Sequence, residues 1–210
     1  GFDSSLAIDS NNNLHVTYLD YTNANLEYMT HDGSSWSTPV SLDSTDSIGW
    51  ESSLAIDSNN NLHVTYRDST NSNLKYITYV DAASSWNSPA TIDSIDNVGY
   101  MSSLAIDSND NMYVTYYDLS NGNLEYMSYD DSTFSWSTPV SLDNSTTGNS
   151  SILGSFPSLA IDSNDNLRLT YYDETNGDLK YGVFAASPWT FSTLDSTDYV
   201  GADSSLAIDS

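Results

Sequence analysis

Oxygen-bearing side chains stand at alternate positions early in this 210-residue chain: Asp9, Asn11 and Asn13, then Asp57, Asn59 and Asn61, with equivalent words again from Asp107 and Asp162. Calcium takes about six to eight oxygen ligands, so it is the ion this spacing could hold. The loops at Asp43 and Asp46, Asp93 and Asp96, and Asp195 and Asp198 could add further donors. The same words also fit a tight hairpin turn in which Asn takes the left-handed conformation, and the glycine and distal glutamate of an EF-hand loop are missing. Other chemistries find fewer residues. Without cysteine there is no thiol nucleophile, disulfide or thiolate metal site. Arg67 and Arg168 fall in different repeats, so no arginine cluster is available for a carboxylate substrate. His15 and His63 are repeat equivalents and read as strand residues on a blade face, with His31 as the third histidine. Glycoside cleavage needs two carboxylates at a defined separation, one of them with a raised pKa. Nearly every carboxylate here recurs from repeat to repeat, as turn chemistry requires and a single active site does not.

Charge narrows the partners. Against 29 acidic residues stand Arg67, Lys75, Arg168 and Lys180, a formal net charge of −25. Such a surface repels nucleic acid and anionic membrane, both of which are bound through Lys and Arg. No apolar run reaches membrane-spanning length, and the first residues, GFDSS, lack the pattern of a signal peptide. A start inside a repeat reads as a mature or excised fragment. The cysteine-free, polar chain fits an extracellular or cell-surface microbial protein. Its 16 Tyr and 5 Trp at recurring places argue for packing rather than disorder.

The elements that must position these residues follow from one recurring stretch, SSLAIDSNNNLHVTY at Ser4–Tyr18, which returns at Ser52, Ser102 and Ser158. Gly1, Gly49, Gly99, Gly154 and Gly201 precede the copies at spacings of 48, 50, 55 and 47 residues. A period near 50 with four strand signals per unit indicates a propeller blade. In the first repeat the strands are expected at Ser5–Asp9, Leu14–Asp20, Leu26–His31 and Trp36–Asp43. Leu14, Val16 and Tyr18 share one face, His15 and Thr17 the other, which is strand alternation. The first strand carries Leu6 and Ile8 on one side and small Ser5 and Ala7 on the other. The expectation is an all-β, four-bladed propeller with repeats 1–48, 49–98, 99–153 and 154–200, and a partial fifth repeat at 201–210. An insertion in the third repeat carries two glycosylation sequons, at Asn144 and Asn149.

The pattern L-H-V-T-Y-x-D-x-T-N-x-N-L-x-Y, followed by G-S-S-W-S-x-P, resembles the blade repeats of bacterial and archaeal surface propellers of the BNR or sialidase-like group. That resemblance implies the fold and leaves activity open, and the strict Ser-x-Asp-x-Gly-x-Thr-Trp box of sialidases is absent. A second resemblance, to fucose-binding lectin propellers in which Arg, Glu and Trp enclose a sugar, implies a site drawn from Arg168, Glu27, Glu125, Trp36, Trp86 and Trp136, with Trp189 near the corresponding place in the fourth repeat. No repeat holds the full set. The second place of the second strand reads His15, His63, Tyr113 and Arg168, and that of the third strand reads Glu27, Lys75, Glu125 and Lys180. The tryptophans also suit packing anchors at blade edges.

Near-identical repeats point to selection for shape, and a spare first strand points to self-association. Leu6, Ala7 and Ile8 would compete with Leu206, Ala207 and Ile208 for one place in a four-bladed ring, leaving one strand to donate to a neighbour. The sequence thus leads to the expectation of a non-enzymatic, extracellular structural or adhesive module that assembles by strand exchange. A carbohydrate-binding lectin is the alternative, and a glycoside hydrolase comes third.

Overall fold

The computed structural model describes residues 1–45, 47–143, 153–185 and 188–208. Asn144 and Asn149 lie outside the described residues. Among the described residues eighteen strands run in chain order: β1 (Phe2–Ile8), β2 (Leu14–Asp20), β3 (Asn25–His31), β4 (Val40–Asp43), β5 (Ile48–Ile56), β6 (Leu62–Asp68), β7 (Asn73–Val80), β8 (Ser85–Trp86), β9 (Ala90–Asp93), β10 (Tyr100–Ile106), β11 (Met112–Asp118), β12 (Asn123–Asp130), β13 (Ser135–Trp136), β14 (Val140–Asp143), β15 (Leu153–Ile161), β16 (Leu167–Asp173), β17 (Asp178–Phe184) and β18 (Thr190–Asp195). They form four antiparallel sheets, β1–β4, β5–β9, β10–β14 and β15–β18, each laid out in chain order as the blades of a four-bladed β-propeller. The chain divides into two compact units, Gly1–Leu104 and Ala105–Ser210.

The outer strand differs from the sequence expectation because it is broken. In the second sheet β7 pairs with β8 through Tyr79 and Trp86, and then with β9 through Tyr76 and Ala90. Between the two pieces lies Asn87-Ser88-Pro89, and the first sheet reads Ser37-Thr38-Pro39 at the same place. Proline brings no N–H to a ladder, so it is tolerated only where the edge strand lets go.

Both faces of a central sheet are buried. On β6, Leu62, Val64 and Tyr66 fill one face while Thr65 and Arg67 are buried on the other. Hydroxyls serve the polar face within the first unit. Thr17 Oγ1 meets Ser52 Oγ at 3.0 Å, and Thr65 Oγ1 meets Ser102 Oγ at 3.0 Å. The Leu54 N–H donates to Ser5 Oγ, and the Leu104 N–H to Ser53 Oγ, each at 3.0 Å. The small faces of β1 and β5 are therefore each met by the backbone of the next first strand.

In the second unit the tail repeats these contacts on the fourth sheet. Ser204 Oγ donates to Thr170 Oγ1 at 3.1 Å, and the Leu206 N–H to Ser158 Oγ at 3.0 Å. Residues 201–208 belong to no ladder. In the first unit, Leu6, Ala7 and Ile8 pair with Val16, His15 and Leu14. The first and the last copies of Leu-Ala-Ile thus each make contacts within their own unit.

The recurring glycine sets how closely sheets approach. Gly49 has φ +87°, and a Cβ there would lie 2.7 Å from Leu26 Cα on the preceding sheet. Gly33 shares that φ in an open turn, with nothing within 4 Å of a Cβ. Urea unfolding should show Gly49→Ala losing about 2–4 kcal/mol, strain plus overpacking, and Gly33→Ala losing about 1 kcal/mol from backbone strain alone. Equal losses would refute the close-approach role.

Candidate functional site

The first aspartate of each β1–β2-type turn gathers donors. Asp57 Oδ1 accepts the N–H groups of Asn59 and Asn61, and Oδ2 accepts Asn61 Nδ2 at 2.7 Å and His63 Nε2 at 3.2 Å. Asp9 does the same with Asn11 and Asn13. The residue at the second place of the second strand faces the carboxylate of each turn and hydrogen-bonds it in three, from His63, Tyr113 and Arg168. His15 lies 3.4 Å from Asp9, Tyr113 OH donates to Asp107 at 2.9 Å, and Arg168 pairs with Asp162 at 2.7 Å. The histidines also reach the tyrosine across the sheet, His15 to Tyr28 and His63 to Tyr76, each at 2.7 Å, and Arg168 reaches Tyr181 at 3.3 Å. His, Tyr and Arg are interchangeable there because each offers a donor to one fixed carboxylate. Burial would raise the pKa of Asp57, but hydrogen bonds from His63 and Asn61 outweigh it and hold the carboxyl below its ordinary range.

The residues read as calcium donors are thus arranged as hydrogen-bonded turns. Asn61 Oδ1 accepts the Asp81 N–H instead of facing the Asp57 carboxylate. Among the described residues no group of three or more His, Cys, Asp or Glu is placed to hold a metal ion.

The residues of the lectin-like set divide between the two units, Glu27, Trp36 and Trp86 in the first and Glu125, Trp136 and Arg168 in the second. Arg168, on β16, is bonded to Asp162, and Trp36, 47% exposed, meets the His31 ring at 5.1 Å. Trp136 packs on Tyr129. Trp86 wedges between Tyr79 and Tyr28 of the preceding sheet, at 5.4 and 5.1 Å. Glu27 is buried on β3 opposite Tyr18. Lys75, at Glu27's place one sheet later, reaches Asp43 at 2.5 Å, where Tyr66 OH also donates at 2.8 Å. Burial would raise the Asp43 pKa, yet these bonds and Thr45 leave it below its ordinary value.

The second unit contains a cavity of about 330 Å³ lined by Tyr126, Val140, Ser141, Leu142, Phe184, Pro188, Trp189 and Phe191. Its floor is aromatic. Trp189 lies parallel to Phe191 with centroids 6.0 Å apart, tilts over Phe184 at 5.4 Å and meets Tyr126 edge-on at 5.8 Å. Gly182 makes this possible. Met29, Ile77 and Met127 hold its place in the other repeats, and a Cβ at Gly182 would lie 2.8 Å from the Phe191 ring. Polar character enters at one wall, where Ser141 Oγ donates to Glu125 Oε1 at 2.5 Å. Burial pushes the Tyr126 phenol up to about 12, so it stays a neutral hydroxyl. The Trp189 indole N–H is buried without an acceptor among the described residues. Glu125 and Trp189 were legible as candidates. Phe184 and Phe191 were missed, and the departure at Gly182 was the signal for them.

This is a β-propeller, and solved structures share its fold at low identity. The NanB sialidase of Streptococcus pneumoniae, in a K499G mutant, aligns at 16% identity and TM-score 0.58 over 80% of this chain and 27% of that one. The Hadza microbial sialidase Hz136 aligns at 15% and 0.62 over 93% of this chain and 46% of its own. An exo-β-1,3-galactanase from Phanerochaete chrysosporium aligns at 12% and 0.59 over 93% and 50%. The chain thus spans half or less of each. No family model and no curated protein matches the sequence. These likenesses correct the expectation of a non-enzymatic structural or adhesive module, because the proteins sharing the fold are by name carbohydrate-cleaving enzymes. The reasoning from repeat identity failed for a physical reason. Constant residues serve sheet stacking, and a site can sit where one repeat departs.

Linkage at Asp43 is testable. A carboxyl whose folded pKa is depressed adds stability above its unfolded pKa, and that stability is lost as pH falls through the folded value. Lys75→Met should cost about 3–5 kcal/mol at pH 7, because it leaves a buried carboxylate without its cation. The gap to the parent chain should narrow as pH falls below the ordinary carboxylate range toward the depressed folded value of Asp43, where the carboxylate held by Lys75 is progressively neutralised. Urea midpoints at pH 7 and pH 3 check this, and a gap independent of pH would count against it.

Proposed function

We propose that the chain recognises neutral glycans, with the aromatic cavity of the second unit as the sugar site. The observation that carries this is Trp189, Phe191, Phe184 and Tyr126 converging beside the Ser141–Glu125 pair. Ligand pockets are mostly apolar and aromatic with a few placed polar groups, at about 300–1,000 Å³. Sugar rings offer C–H faces to such walls and hydroxyls to a Ser–Glu pair. Ser141 donates to Glu125 and accepts from Asn123 Nδ2 at 3.4 Å, which leaves the second lone pair of its oxygen to accept from a ligand hydroxyl.

Charge selects against acidic sugars. At −25 the chain repels an anionic ligand, and Arg67 and Arg168 are both held by internal partners. A neutral β-linked galactan is the first ligand to examine, since β-1,3-galactotriose is the ligand in a galactanase of the same fold. With this reading go repeats of the sialidase-like kind that lack the strict Asp-box, and action outside the cell.

Calorimetric titration with β-1,3-galactotriose and a sialylated trisaccharide is the test, with reducing-end release followed in the same samples to detect cleavage. The neutral sugar should bind and the sialylated one should not. Trp189→Ala should weaken binding about tenfold or more, Trp36→Ala should leave it unchanged, and Ser141→Ala provides a milder change at the polar wall. Absence of binding by neutral oligosaccharides, or binding indifferent to both Trp189→Ala and Ser141→Ala, would overturn the reading.

A further inference from the structure

An aromatic residue follows the glycine that opens three of the first strands: Phe2, Trp50 and Tyr100. All three lie in the first unit. Tyr100 carries a cation, because the Arg67 Cζ stands 3.8 Å from its ring centroid. That guanidinium is internal, only 5% exposed, and is held by Ser69 Oγ at 2.5 Å and Asn97 Oδ1 at 2.8 Å.

One repeat earlier, Leu19 stands in the place of Arg67 and Tyr21 in the place of Ser69. The internal cation is gone and rings have replaced it. Tyr21 meets Trp50 edge-on at 5.8 Å and 78°, and Phe2 packs on Tyr21 at 5.3 Å and 52°. Tyr21 is 62% exposed and Phe2 59%. The Trp50 indole N–H donates to Ser47 Oγ at 3.2 Å, which fixes its ring. Each ring has a carboxylate as its chain neighbour: Asp3 beside Phe2, Asp20 beside Tyr21, and Glu51 beside Trp50. Burial, with added repulsion from Asp3, holds the Glu51 carboxyl above its ordinary range, although it accepts the Met101 N–H at 2.9 Å.

We propose that Phe2, Tyr21 and Trp50 form a docking site for the arginine side chains of a basic polypeptide. Charge complementarity argues for this occupant. The surrounding chain carries −25, and Arg67, Lys75 and Arg168 are held internally. A planar, weakly hydrated guanidinium stacks on aromatic faces and forks onto carboxylates, whereas a lysine ammonium is strongly hydrated and does neither as well. The molecule already uses this pairing one repeat later, at Tyr100. The site is separate from the sugar cavity, which lies in the other unit.

Tetra-arginine amide and tetra-lysine amide are titrated into the full chain at about 0.15 M salt, where diffuse attraction is screened, while the Trp50 indole and Tyr21 ring resonances are followed by NMR. Tetra-arginine should shift those resonances and bind about 3- to 5-fold more tightly than tetra-lysine. Tyr21→Ser, at an exposed position, should bring the two peptides to equal affinity, and Phe2→Ser should act in the same direction. Equal binding of both peptides by the parent chain would reduce the effect to diffuse charge and overturn the proposal. So would shifts of these resonances by a neutral oligosaccharide but not by tetra-arginine.

Discussion

Successive first strands hold each other through serine hydroxyls that accept backbone N–H groups, Leu54 to Ser5 and Leu104 to Ser53. The rest of the structure depends on that contact. A sheet covered on both faces has no water to satisfy its polar groups, and a buried unpaired donor costs about 1–3 kcal/mol. The Ser-Ser-Leu word answers with one hydroxyl for the next strand's backbone and another for a threonine across the interface. The glycine ahead of it lets the backbone come within contact of Leu26 or Leu74. Constancy among repeats is therefore a packing requirement, renewed at each sheet.

Variation is confined to places where the packing requirement is met by more than one side chain. A turn carboxylate needs a donor, and His63, Tyr113 and Arg168 each provide one. The second place of the third strand accepts Lys75, which finds Asp43, or Glu125, which finds Ser141. At the fourth place a glycine, Gly182, gives room for Phe191, and a cavity follows beside Trp189. In the first unit the paired exchange of Arg67 and Ser69 for Leu19 and Tyr21 turns an internal cation–π contact into exposed rings. Both candidate sites arise as departures from a repeated pattern, and neither disturbs the hydroxyl contacts on which the sheets rest.

The amount legible in advance follows from the range of the interactions involved. Strand β2 spans Leu14–Asp20 as the alternation of its side chains requires, because that alternation is local. The break in the outer strand was missed although Pro39 and Pro89 were in view, since whether an edge strand lets go depends on what its partner strand offers. Trp86 was readable as a packing anchor, yet its seat on Tyr28 of the neighbouring sheet was not. The partners of Arg168, Asp162 in the turn and Tyr181 on the next strand, were not legible either, because they depend on how the strands pair.

By itself the sequence determined the all-β class, the period, the turn chemistry of Asp9 and Asp57 and the strongly negative charge of the chain. Each of these rests on nearest-neighbour backbone preferences or on summed charge, which the order and number of residues fix. Only the tertiary structure decided which alternating residues are buried on both faces and which polar atoms find partners. It also decided which rings meet: Trp189 over Phe191 in one unit, and Tyr21 against Trp50 in the other. The physical reason is distance in the chain. Trp50 stands 29 residues beyond Tyr21, and nothing short of one sheet packing on the next brings them within contact.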